Sequence, residues 1–247
     1  MRLLLLFLLI LSIQKSYTQN LPSDRLIITL IYGKVDNNKD FYTRPFKDEE
    51  KTYSYRDSVS YRIVFKKEIS IQGQNLIFVI TEANVSTFQG HEMGYRDFYY
   101  IKHDKNYTIF NSIVSEDESP LGDEGFYEIA KIGKNKLALI TTFQSTGNHH
   151  YEKTKDIYSL TLSELAFLDE INEEYDNSAS LSLDSVTNEC EALRYQNIFT
   201  IVNDDKEWFD IKVHHIEYGF TKGCLDTFIS KEYDKIHLYN EGKYIEK

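Results

Sequence analysis

Two adjacent histidines, His149 and His150, stand in the segment QSTGNHHYE, and a phenol and a carboxylate, Tyr151 and Glu152, follow directly. Side chains of these types can bind a ligand, and imidazole is a common ligand of zinc and copper. Neighbouring residues of a strand point to opposite faces, so the two histidines can share a metal only within a loop. A metal site also needs three or four ligands, which one segment does not supply. The segment therefore predicts a polar turn between two strands. A binding site or a loosely bound metal is the alternative, and no tightly bound cofactor is expected.

A second histidine pair lies in the alternating segment FDIKVHHI (209–216). Counting from Phe209 places His215 on the apolar face of a strand, and His214 on the outer face beside Lys212. A histidine on an apolar face is expected to be hydrogen-bonded to a backbone carbonyl inside the core. The pattern therefore predicts a structural role for His215.

The N-terminus, MRLLLLFLLILSIQKSYTQN, has a positive charge at Arg2, an apolar run over 3–13 and a short polar stretch. This layout predicts a secretory signal peptide over 1–19, with a retained membrane anchor as the alternative. The mature chain is then expected to be secreted or periplasmic, as a single β-rich domain over 20–247 with a possible subdivision near 177–189. No later segment is apolar for long enough to be a membrane helix.

The chain is acidic, with 28 basic and 39 acidic residues and a formal charge of −11. Nucleic acids require positive charge to neutralise their phosphates, so this balance argues against a nucleic-acid partner.

Two cysteines remain after the leader, Cys190 and Cys224. In an exported protein an even number of cysteines predicts a disulfide, which here would close a loop of about 35 residues and stabilise the fold by about 3.8 kcal/mol. Free or metal-binding thiols are the alternative.

Alternation of apolar and polar residues indicates strands with one buried face. The segments SVSYRIVF (58–65) and FDIKVHHI alternate in this way, whereas NLIFVIT (75–81) and KLALITTF (136–143) are apolar on both faces, as in central strands. Gly73 and Gly133 fall between such runs, where a hairpin turn tolerates a positive φ. Further strands are predicted at 26–32, 98–102, 107–114, 156–162 and 197–202, and in a C-terminal hairpin.

One segment, LSELAFLDEINEEYDN (162–177), does not alternate. Leu165, Leu168 and Ile171 would share one face of a helix that Ser163 caps, which favours a short helix over a strand with a long polar exit. The whole pattern predicts an all-β, mostly antiparallel fold with this one short helix. A sandwich, an open barrel and a partial propeller all fit it.

The segment GFYEIAKIGKNKLALITTFQSTGNHHYEKTKDIYSL (125–160) resembles the blade-like units of secreted bacterial β-propeller proteins. The C-terminal KIHLYNEGKYIEK is similar to hairpins that close many exported bacterial β proteins. The resemblance implies an exported β architecture of bacterial type. It carries over no active site, because the calcium loop DxDxDG of such repeats is missing.

No nucleophile motif of the GxSxG type and no phosphate-binding glycine loop is present in the sequence. A carboxylate pair among so many acidic residues cannot be located without the fold.

The segment RDFYYIKH (96–103) has three consecutive aromatic rings. In a sheet with one buried face, at least one of these rings faces away from the core, where it can bind a sugar or a protein. The alternative is a strand that is buried on both faces. We therefore expect a non-catalytic exported protein that binds a protein partner, a glycan or a surface. A secreted hydrolase that uses an Asp/Glu pair or a histidine-bound metal is the alternative.

Overall fold

The computed structural model describes residues 21–38, 41–45, 58–86, 92–114, 126–147, 150–177, 193–221 and 226–247. One helix, α1 (Asp24–Tyr32), and fourteen strands lie in these ranges. The strands are β1 (Asp36–Asn38), β2 (Phe41–Pro45), β3 (Ser58–Ile71), β4 (Gln74–Ser86), β5 (Glu92–His103), β6 (Tyr107–Val114), β7 (Phe126–Gly133), β8 (Lys136–Gly147), β9 (His150–Leu160), β10 (Leu165–Asp176), β11 (Arg194–Val202), β12 (Asp210–Phe220), β13 (Thr227–Asn240) and β14 (Lys243–Glu246).

The strands form two antiparallel sheets in which consecutive strands are neighbours. The N-terminal sheet contains β1 to β6 and the C-terminal sheet contains β7 to β14. Neither closes into a barrel through the strands that are described. The predicted all-β, antiparallel fold is therefore confirmed.

The two sheets pack face to face over a shared apolar core. Polar contacts tie them at its edge, because the Tyr100 hydroxyl donates to the Thr161 carbonyl (2.5 Å) and the Asn111 amide donates to the Leu162 carbonyl (2.5 Å). The buried members of this core are Ile69, Ile71, Leu76, Phe78, Ile80, Phe98, Tyr100, Ile129, Leu139 and Leu160. Burial of so many large side chains is the main force that holds the sheets together.

Strand β4 is buried on both faces, as its continuous apolar run predicts. Phe78 and Ile80 face the C-terminal sheet, while Ile77 and Val79 pack under α1. All four side chains are at most 4% exposed. The helix therefore covers the face of the N-terminal sheet that the C-terminal sheet leaves open.

The strand predicted at 26–32 is wrong, because this segment forms α1. The hydroxyl of Ser23 caps the helix by accepting a hydrogen bond from the Leu26 amide (3.3 Å), and Gly33 ends it with a φ of 83°. The last helical residue, Tyr32, anchors α1 to the sheet by hydrogen bonds to Thr81 (2.6 Å) and Asp97 (3.0 Å). A short apolar run of this kind is compatible with a strand or a helix, and here the caps at both ends favour the helix.

The helix predicted within 162–177 is also wrong, because the segment forms β10. Ser163 lies in the turn between β9 and β10 instead of capping a helix. A β-bulge at Leu168 inserts an extra residue, so Leu168 and Ile171 both reach the core of the C-terminal sheet although they are three residues apart. The bulge thus gives a strand the spacing of a helix.

The expected disulfide lies outside the described residues, which contain neither Cys190 nor Cys224, and no disulfide is seen in the part of the chain that is described. The expected leader at 1–19 lies outside them too. Strands β10 and β11, which flank 177–189, pair within one sheet. Within the described ranges, no helix is both long enough and apolar enough to cross a membrane.

The C-terminal sheet curls around a second core of its own. His237 on β13 contacts Asp169 on β10 (Nδ1 to Oδ2, 2.6 Å), although two strands separate them in the sheet. A second contact joins the β7–β8 hairpin to the start of β12, because the Phe209 amide donates to the Ile132 carbonyl (2.8 Å). The buried members of this core are Ile132, Ala138, Ile140, Ile157, Leu168, Ile171, Ile211, Val213 and Tyr244.

Glycine is needed at both predicted hairpins, but for different reasons. Gly73 has a φ of 76° and its expected role is confirmed. Gly133 does not have the expected positive φ, which is found at Asn135 instead. Gly133 bridges to Trp208, and a Cβ atom added there would overlap the carbonyl oxygen of Glu207. The missing side chain therefore allows the curl of the C-terminal sheet.

Replacing Gly133 with alanine is expected to destabilise the protein by about 1–3 kcal/mol, because the backbone of Glu207 must move to admit the methyl group. Urea unfolding measures this change. The matched control is Gly73→Asn, which has open space around it and introduces a residue that tolerates positive φ. A Gly133→Ala variant that is as stable as the control would contradict the close approach.

Candidate functional site

Five aromatic side chains form a continuous row across the C-terminal sheet, one from each of the strands β9 to β13. The centroids of successive rings are 6.4, 5.6, 5.7 and 4.7 Å apart, and the planes of successive rings differ by 15° to 41°. We call this feature the ring row; its members are His150, Tyr175, Tyr195, His215 and Tyr233. Tyr233 is 42% exposed and the others are partly buried. The row therefore presents its edge to the surroundings.

The row depends on the cross-strand register. Tyr175 pairs directly with Tyr195, and it pairs with Glu152 on its other side. A β-bulge at Glu173 sets this register, because regular pairing of Glu173 with Lys153 would place Tyr175 opposite Tyr151 on the other face. The bulge thus brings the tyrosine of β10 into line with the rings of its neighbours.

Two lysines of β9 hold the bulge residue in place. The Glu173 carboxylate is 14% exposed and lies 2.7 Å from the Lys153 ammonium and 2.9 Å from that of Lys155. Burial raises the pKa of Glu173, but the ion pairs with the two lysines outweigh this effect and the pKa lies below its usual value. Glu173 is therefore ionised at neutral pH and clamps β10 to β9.

A hydrogen bond orients His215 within the row. The Asn197 amide nitrogen donates to the Asn172 carbonyl (2.5 Å), so its oxygen is the group that accepts from His215 Nδ1 (2.7 Å). This bond assigns the proton of the neutral ring to Nδ1 and makes Nε2 an acceptor. Burial and the nearby charge of Lys235 lower the pKa of His215. The sequence placed His215 correctly on the apolar face, but its partner is a side chain at a partly exposed position.

Charged groups flank the row at both ends. The Glu152 carboxylate lies near Tyr195, where burial first and then this charge raise the pKa of the phenol. At the other end, the Lys235 ammonium is 5.6 Å from the ring centroid of Tyr233 and 2.9 Å from Glu246. A ligand on the row would therefore meet a carboxylate near β9 and a paired ammonium near β13.

The structure separates the four residues that the sequence singled out. His150 is the first member of the ring row, and Glu152 lies on the same face beside Tyr175. Tyr151 points to the opposite face, where burial and Glu174 raise its pKa. His149 lies outside the described residues. Among those that are described, no group of three or more histidine, cysteine or acidic side chains is arranged to hold a metal ion.

Sequence reasoning missed Tyr175, Tyr195 and Tyr233. The helix predicted within 162–177 removed Tyr175 from the sheet, and the bulge that aligns it has no sequence signature. The three rings at 98–100 were the alternative candidates, but Phe98 and Tyr100 are buried and Tyr99 packs toward α1. That strand is buried on both faces, the other possibility that the sequence left open.

The N-terminal sheet carries a second candidate, a depression of about 500 Å³ near the β3–β4 hairpin. Its lining contains apolar and polar side chains, which are Ile69, Leu76, Ile77, Ile101, Glu68, Ser70, Asn75 and His103. No hydrogen bond joins these polar groups to one another in the described structure. The ring row brings more side chains together and is the stronger candidate.

No protein-family model matches the chain, and neither a curated protein nor a solved structure is significantly similar to it.

The adjacent histidines of β12 are expected to titrate on opposite sides of the ordinary value of 6.5. The bond to Asp234 and the charges of Asp234 and Glu232 raise the pKa of His214, while burial and Lys235 lower that of His215. NMR titration of the imidazole protons measures both. Asp234→Asn should lower the pKa of His214 and leave that of His215 unchanged.

The two shifts act on stability in opposite directions. His215 makes the fold less stable as pH falls below 6.5, because the unfolded chain binds the proton first. His214 stabilises the fold fully below pH 6.5, and this stabilisation is lost as the pH rises through the raised pKa of His214. Equal pKa values for the two histidines would contradict the described contacts.

Proposed function

We propose that this protein is a non-catalytic binding protein that acts outside the cytoplasm, and that its ring row binds a glycan. The supporting observation is the row itself, in which five partly exposed rings follow one another across five strands. At the spacing of neighbouring strands, the row is roughly 20 Å long. A linear ligand that runs across the strands can contact each ring in turn.

The polar groups of the row favour a ligand rich in hydroxyl groups. Because the rings stack on one another, a ligand meets their edges, where the phenol hydroxyls and imidazole nitrogens lie. No hydrogen bond within the described structure occupies the hydroxyls of Tyr175 and Tyr195, so both are open to a ligand. Sugar hydroxyls donate and accept hydrogen bonds and can pair with phenols, with Nε2 of His215 and with the Glu152 carboxylate.

Tyrosine suits this role for a second reason. Its ring supplies a large, rigid contact area with little loss of side-chain entropy, and its hydroxyl supplies a specific hydrogen bond. Cross-strand ring pairs also stabilise a sheet without any ligand, so stability and binding must be measured separately.

Removing single hydroxyls from the row is expected to weaken glycan binding without unfolding the protein. Tyr195→Phe and Tyr233→Phe keep the stacked rings and each remove one hydrogen bond, which corresponds to a loss of roughly twofold to tenfold in affinity. Binding is measured on an array of neutral and acidic oligosaccharides, and the best ligand is then titrated by calorimetry.

The matched control is Tyr107→Phe, a tyrosine of the N-terminal sheet that stacks on His103. The Tyr107→Phe variant should bind the glycan as tightly as the unaltered chain does. All three variants should have the melting temperature of the unaltered chain. If no oligosaccharide binds, or if the Tyr195 and Tyr233 variants bind like the control, the glycan proposal is wrong. Binding of a protein instead would also reject it.

A further inference from the structure

Two arginines and one carboxylate lie side by side on the face of the N-terminal sheet that meets the C-terminal sheet. Arg62, Glu82 and Arg96 are direct partners across β3, β4 and β5. The Glu82 side chain is only 5% exposed. Because one negative charge stands against two positive charges, the cluster keeps a charge of +1 in a chain whose formal charge is −11.

The two arginines share the carboxylate unequally. Arg62 donates to one Glu82 oxygen from Nε (2.8 Å) and lies 2.7 Å from the same oxygen through Nη2. Arg96 Nε is 3.8 Å from the other oxygen, which is too long for a hydrogen bond. The guanidinium of Arg96 has no hydrogen-bond partner in the described structure, although the side chain is only 24% exposed.

A second unused donor comes from the opposite sheet. Tyr127 of β7 packs its ring against Arg96, with 5.6 Å between the guanidinium carbon and the ring centroid. The Tyr127 hydroxyl is buried and has no hydrogen-bond partner within the described part of the chain. Burial raises the pKa of this phenol, and the charges of Arg96, Glu82 and Arg62 also act on it. Buried donors without partners are rare in folded proteins because each one loses its hydrogen bonds to water.

We propose that Arg96, Arg62 and the Tyr127 hydroxyl bind a small oxyanion between the two sheets. The planar guanidinium group presents parallel N–H donors that match the oxygens of a carboxylate, phosphate or sulfate group. The phenol adds a donor from the other side, and Glu82 balances one of the two positive charges. The oxyanion is a free ion or a group on a larger ligand. The site is separate from the ring row, so it can fail or succeed independently of glycan binding.

Melting temperatures test the proposal in phosphate, sulfate and acetate, each matched to sodium chloride at the same ionic strength. Ligands that bind only the folded state raise its stability in a saturable way. At least one of the three anions should therefore give a saturable rise for the unaltered chain. Arg96→Gln should weaken the apparent affinity roughly tenfold or more, as expected for lost hydrogen bonds to a charged group.

The control is Arg194→Gln, which removes the same charge from a more exposed arginine of the C-terminal sheet and should keep the full response. Tyr127→Phe should be at least as stable as the unaltered chain without anion, because it removes an unpaired buried hydroxyl, and should respond less to anion. An absence of any rise in the unaltered chain would overturn the proposal. An equal rise in Arg96→Gln would also overturn it, because it would show a general salt effect.

Discussion

The register between β9 and β10 depends on one extra residue, Glu173, and on the two lysines that hold its carboxylate. Because side chains alternate along a strand, regular pairing of Glu173 would place every following side chain of β10 on the other face, and the bulge prevents this. The ion pairs fix this insertion at a single position. The tyrosine that follows then joins the ring row instead of facing Tyr151. The most extended group of aromatic side chains on the sheet therefore depends on a local electrostatic contact.

The packing of the two sheets and the helix is determined by the burial of apolar side chains. Strand β4 is covered on one side by α1 and on the other by the C-terminal sheet, which makes it the centre of the molecule. Two places depart from the pattern of apolar residues inside and polar residues outside. One is the ring row, where aromatic and polar groups replace the apolar face toward one end of the C-terminal sheet. The other is the Arg62–Glu82–Arg96 cluster, where charges lie between the sheets. Such departures are expected at functional sites, where local rules give way to binding.

Much of the fold could be predicted from sequence because burial leaves a direct trace in it. The runs at 75–81 and 136–143 identified the two-sided strands, and the alternating runs identified most of the others. Two segments were assigned to the wrong element because local features outweighed the apolar pattern. The caps at both ends make 26–32 a helix, and a bulge in β10 gives its apolar residues the three-residue spacing that is typical of a helix. His150 and Glu152 were found because they are adjacent in sequence. Tyr175 and Tyr195 were missed because their proximity depends on the paired register of distant segments, which no single segment contains. The binding role of these residues stays a prediction.

The most direct measurement of the central claim is the set of NMR contacts between ring protons in the unaltered chain and in a variant that lacks Glu173. The described register predicts contacts between Tyr175 and Tyr195 and between His215 and Tyr233 in the unaltered chain. Deleting Glu173 should preserve both contacts, because Glu174 then follows Asn172 directly opposite Lys153 and Tyr175 stays opposite Glu152. If the first contact is missing from the unaltered chain, or is lost after the deletion, Glu173 is not the extra residue that aligns the ring row.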